Sequence, residues 1–159
     1  MHVNATFVIV FYNGEKLKDR LIIYELVHIV HIYAVFIYGG FLFVDNLFLS
    51  KIPQSLSAEE SAKAREAIMM HVRKVVPYAL LVAVGTGIYM FTQVFGRIDS
   101  GGLSYFQTML SIKAFLGLWL GIRGFNQKFF GINPWVFKSH IFPFSLVVVI
   151  ILLSQIMYL

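Results

Sequence analysis

The chain contains no cysteine, few charges and only four prolines in 159 residues. Without a thiol there are no disulfides, no thiolate metal sites and no thiol redox chemistry. Only 13% of residues are charged, about half the proportion usual in soluble domains. No Gly-x-Ser-x-Gly elbow and no phosphate-cradling glycine loop occurs, which removes the common nucleophile and nucleotide signatures. Glu25 and Asp45 are the acids in or near the apolar segments and lie 20 residues apart on one of them, too far apart for a catalytic carboxylate pair. The net charge of +5 sits beside apolar runs, so anionic headgroups account for it better than nucleic acid does.

What remains is apolar. Hydrophobic residues make up 58% of the chain and mean hydropathy is +0.77. Four apolar runs each approach or exceed the roughly 20 residues a helix needs to cross a bilayer. The expected fold is all-α, an integral membrane bundle of four transmembrane helices. The spans lie at about 21–48, 72–95, 104–123 and 139–159, with residues 1–20 as a short amino-terminal arm. The arm lacks a basic start and a small-residue cleavage site, unlike a signal peptide. Asn13-Gly14 reads as a turn within it.

On a helical wheel Tyr24, His28, His31, Val35, Tyr38, Leu42 and Asp45 of the first span share one stripe. In lipid, such a polar stripe faces the bundle interior. Gly39 and Gly40 admit close approach of another helix or of a flat cofactor. Ser57 with Glu60 is a capping-box pair opening a helix that projects from the membrane before the second span. Pro77 marks a kink, and Gly85 and Gly87 mark packing points. In the third span Gly117, Gly121 and Gly124 lie on the side that Lys113 faces.

Lys16, Lys18, Arg20 and Arg97 fall on one side of this arrangement. Lys51, Lys63, Arg65, Arg73, Lys74, Arg123, Lys128 and Lys138 fall on the other. The positive-inside rule places the larger group in the cytoplasm and both termini outside. His31 and Lys113 then lie at a common depth of roughly 14–15 Å from the outer face, on different helices that can bring them together. An ionisable group at that depth is a functional candidate by default.

His31, followed by Tyr38-Gly39-Gly40-Phe41, resembles the first span of the membrane family that includes the copper-resistance D proteins and the flavin-independent protoporphyrinogen oxidases of the HemJ type. His71, Arg73, Lys74, Pro77 and the stretch Gly85 to Tyr89 are similar to that family's second span, and Lys113 sits at its third-span lysine. The chain departs from the oxidase type at Val44-Asp45-Asn46 and on the approach to the last span, Lys138 to Pro143. The resemblance implies a four-helix bundle of the bacterial inner membrane holding b-type haem. His31 and Lys113 are the matching positions, and the substrate is a porphyrin or quinone.

Three functions stay open: a haem redox protein, a copper-handling protein, and an accessory subunit docked on a larger membrane complex or on its own copies. His31 is either an axial haem ligand or an interhelical hydrogen-bond donor to a Tyr or a backbone carbonyl. His28, one turn away, is a second metal ligand or a propionate partner. His28 and His31 can share one metal ion from a single helix face, but cannot bind opposite faces of one haem. Lys113 is a deprotonated ligand, or a partner for a propionate, a substrate carboxylate or Asp45. Met69-Met70-His71, the alternative copper signal, reads as packing at a basic helix entrance. His71 and His140 mark the inner ends of spans two and four.

Overall fold

The computed structural model describes residues 5–131 and 141–158, with side chains from Leu17 onward. Four α-helices carry these residues: α1 (Ala5–Leu47), α2 (Ala58–Val94), α3 (Tyr105–Phe130) and α4 (Ile141–Ile156). A 3₁₀ turn, Leu49–Gln54, joins α1 to α2. No strand occurs among the described residues.

Helix α1 has 43 residues and no proline. At 1.5 Å per residue it extends about 65 Å, roughly twice the hydrocarbon thickness. It passes unbroken through Asn13 and Gly14, which corrects the expected turn there. A helix-interior glycine costs only about 1 kcal/mol against alanine, and the hydrogen-bonded turns on either side absorb it. Pro53 lies inside the 3₁₀ turn, and Ser57 restarts the chain as a helix. The Ser57 hydroxyl accepts from the Glu60 amide at 3.4 Å, while the Glu60 carboxylate accepts from the Ser57 amide at 3.1 Å. That is the expected capping box. From it α2 runs through Pro77 to Val94 without a break.

A second capping box, Ser104 with Gln107, opens α3. The buried Gln107 amide also donates to the carbonyls of Phe95 and Arg97, at 2.8 Å each. One side chain thus closes the α2–α3 loop onto the helix start. Helix α3 ends at Gly131, whose φ of 65° is the left-handed cap that glycine adopts without strain. This extends α3 seven residues beyond the expected end at 123. Arg123 therefore lies within the helix rather than in a loop.

Each helix packs on two neighbours in the cyclic order α1–α2–α3–α4, leaving α1 opposite α3 and α2 opposite α4. Every helix contributes to the core: Tyr38 and Leu42 from α1, Leu80 from α2, Leu120 from α3 and Val147 from α4. The outward faces are as apolar as the interior. Phe36 is 74% exposed and Ile122 60%, and such side chains cover all four helices. A soluble surface does not carry apolar area on that scale, whereas lipid tails solvate it. Helices α1, α2 and α3 are long and apolar enough to cross a membrane. Helix α4 has 16 described residues, and the expected beginning of its span, with His140, lies outside the described residues.

All seven residues of the expected α1 stripe face inward. Tyr38, Leu42 and Asp45 are buried, and Tyr24, His28, His31 and Val35 are half-buried. The residues between them are largely exposed. The polar groups of this stripe thus turn away from the surface that hydrocarbon would occupy, for the reason the wheel anticipates, while Glu25 and Tyr33 lie off it and are exposed.

Candidate functional site

His31 sits where α1 crosses the small-residue face of α2. Its Nδ1 lies 2.9 Å from the Ala83 carbonyl and 2.9 Å from the Thr86 hydroxyl. A carbonyl only accepts, so the proton of a neutral ring is assigned to Nδ1. The Thr86 hydroxyl spends its own proton on Val82 O at 2.7 Å and is left as an acceptor toward the ring. With Nδ1–H committed in this way, the Nε2 lone pair of the neutral imidazole remains for a metal or a proton donor. A backbone carbonyl on one nitrogen that fixes the tautomer and direction of the other is the arrangement found behind metal-ligating histidines.

Gly87 makes this seat possible. A Cβ at position 87 would lie 3.2 Å from His31 Cε1 and 3.7 Å from Nδ1. A Cβ at Gly85 would meet nothing within 4 Å. Of the two expected packing points on α2, only Gly87 is therefore one, and what it admits is the imidazole.

Lys113 and His28 both lie within electrostatic reach of the His31 ring. Lys113 belongs to α3, the helix diagonally opposite α1. Lys113 is half-buried and makes no hydrogen bond or ion pair with a described residue. His28 is half-buried, with its ring 6.0 Å from that of Tyr24. Among the described residues no group of three or more His, Asp or Glu side chains is placed to hold a metal ion. His28 and His31 therefore lack the further ligands of these types that a copper site would draw on.

Asp45 is not available to Lys113. It lies about 21 Å along α1 from His31, is 3% exposed, and accepts from Arg65 Nη2 at 3.1 Å. Of the glycine pair, Gly39 admits α4: a Cβ there would sit 3.3 Å from Val147 Cγ1, while Gly40 is open. On α3 a Cβ at Gly121 would fall 2.7 Å from Val84 Cγ2, one at Gly124 would run into Leu80, and one at Gly117 would meet nothing. The small-residue face of α3 is thus two glycines long, and it seats α2.

Tyr38 has a role that its place in the stripe did not reveal. Its buried hydroxyl accepts a hydrogen bond from the Arg123 guanidinium. Arg123 is 8% exposed. The only sequence signal for it was an arginine close behind Gly121, and it was counted among loop charges because α3 was ended too early. The pair borders a cavity of about 360 Å³ between α1, α2 and α3, lined in part by Leu42, Leu80, Arg73 and Lys128. His31 and Lys113 do not line it. Tyr38 stands about 10 Å along α1 from His31, so the two sites occupy different levels of the bundle.

Set against protein-family models, curated proteins and solved structures, the chain matches none of them.

Proposed function

We propose that this chain is a four-span membrane redox protein that holds b-type haem through His31. The observation that carries the reading is the seat of His31. One ring nitrogen is committed to a main-chain carbonyl and a threonine hydroxyl on α2, which leaves Nε2 as the lone pair of the neutral ring. A main-chain carbonyl that sets the tautomer and orientation of an imidazole is the support that metal-ligating histidines use. Lys113, across the bundle axis, would serve as the opposite ligand in its neutral form or as the charge partner of a propionate. Haem bound there would supply one-electron transfer at a potential set by its ligands and by burial.

The residues of the chain do the rest. Ala83, Thr86 and Gly87 hold the imidazole in one tautomer and one orientation. The partner reaction is oxidation of a porphyrinogen or electron passage between a membrane donor and acceptor, as the resemblance of His31, Tyr38-Gly39-Gly40 and Lys113 to the HemJ and copper-resistance D group suggests. The charge distribution supports an inner-membrane orientation with the α1–α2 loop cytoplasmic and both termini periplasmic.

The test is a dithionite-reduced-minus-oxidised spectrum of the detergent-purified protein, with metal analysis in parallel. A b-type signal is expected that disappears in His31→Ala and survives in His28→Ala. A colourless protein containing copper would replace this reading with metal handling. A protein containing neither would make it a partner subunit and His31 a packing residue.

A further inference from the structure

The cavity beneath Tyr38 has a chemistry of its own. Its wall toward the bundle is apolar, built from Phe41, Leu42, Val76 and Leu80, Arg123 lies buried in it, and the exposed Arg73 and Lys128 stand at its edge. No acidic residue lines it. The guanidinium of Arg123 is held by Tyr38 on α1, which fixes one cation deep in the groove. The Lys128 ammonium donates to the Arg73 carbonyl at 3.0 Å and lies 5.4 Å from the Tyr78 ring centroid. This draws the end of α3 onto α2 and gathers the cations along one edge. Arg73 also meets Glu66 at 3.2 Å, with both side chains more than 60% exposed, and a pair so open to water offsets little of the charge.

The groove lies on the inner half of α3 and at the turn where α2 leaves the expected span. In the membrane orientation proposed above, on which this inference rests, the hydrocarbon ends and the headgroups begin at that level. A cationic rim above an apolar wall at that level matches a phosphate above acyl chains, and basic pockets between helices on the positive side of a membrane protein are where acidic headgroups bind.

We propose that the groove between α1, α2 and α3 binds one anionic phospholipid of the cytoplasmic leaflet, its phosphate on Arg73, Arg123 and Lys128 and an acyl chain along Val76 and Leu80. The assignment is independent of the haem reading, because His31 and Lys113 do not border the groove.

The experiment is native mass spectrometry of the delipidated full-length protein in detergent, titrated with phosphatidylglycerol or phosphatidylcholine of the same chains. Phosphatidylglycerol is expected to bind at least about 25-fold more tightly than phosphatidylcholine, since two or three phosphate-facing charges are worth about fivefold each. The double variant Arg73→Gln, Lys128→Gln changes two exposed side chains, so it keeps the fold, which circular dichroism checks. It should weaken phosphatidylglycerol about thirty-fold and phosphatidylcholine much less, because the choline cation offsets the charge of that phosphate. Equal affinity for the two lipids, or a double variant that binds like the wild type, would overturn the proposal. Displacement of the lipid by millimolar inorganic phosphate would also overturn it, making the groove a site for a free anion.

Discussion

Replacing Gly87 by alanine tests the seat of His31, and Gly85→Ala supplies the control. Both glycines lie inside α2, two residues apart. Alanine at a helix-interior glycine gains about 0.8–1 kcal/mol in backbone propensity. At Gly85 the added methyl meets nothing within 4 Å, so the whole gain should appear. At Gly87 the methyl arrives 3.2 Å from His31 Cε1, and the ring must retreat by a few tenths of an ångström. It cannot do so without stretching its contacts to Ala83 and Thr86, both at 2.9 Å. A hydrogen bond of this kind contributes about 0.5–1.5 kcal/mol net, so weakening the two cancels the gain from the methyl.

The two variants should therefore differ by about 1 kcal/mol, or roughly 3 °C in Tm for a chain of this length, with Gly85→Ala the more stable. Thermal melts followed by helical circular dichroism in one detergent measure this directly. The reduced-minus-oxidised spectrum should change in Gly87→Ala and stay as wild type in Gly85→Ala. Equal melting points, or a more stable Gly87→Ala, would show that the imidazole does not rest on Gly87.

Thr86→Val keeps the shape of the seat but removes one acceptor of the His31 proton, so it should lower stability by about 1 kcal/mol and shift the haem midpoint potential in a redox titration. On α3, Gly121→Ala forces a methyl against the stiff Val84 side chain at 2.7 Å and should destabilise by about 1 kcal/mol net of propensity. Gly117→Ala should stabilise by up to about 1 kcal/mol, and paired melts decide between them. Arg65→Ala withdraws the cation from the buried Asp45 carboxylate and should cost about 1.5 kcal/mol. The figure is at the low end because Arg65 itself is 45% exposed. The same variant in an Asp45→Asn background should cost less, and a double-mutant cycle measures the difference.

Much of this was legible from one helix. The stripe from Tyr24 to Asp45 turned inward as a unit because lipid penalises polar groups on the outer face, and that penalty acts on each helix separately. The Ser57–Glu60 box opened α2 for an equally local reason, since both partners lie within one turn. The end of α3 was less legible. Arg123 resembled a loop charge because a cation is expensive in hydrocarbon, and its place inside the bundle rests on partners that include Tyr38 on another helix. The alternatives left open for Asp45 and Lys113 separated only when distance along α1 entered the argument.

The sequence by itself determined that the chain is helical, that it carries long apolar runs, of which three form membrane-length helices, and which stripe of α1 turns inward. These follow from composition, run length and a 3.6-residue period, all of which act within one element. Only the tertiary structure decided that Gly87 rather than Gly85 receives the imidazole. It also decided that Ala83 and Thr86 take its proton, that Asp45 belongs to Arg65, and that Tyr38 and Arg123 share a groove. Each of these is a contact between helices. Its partner depends on how far one helix is rotated and slid against another, a quantity set by the packing of all four and written in no single one.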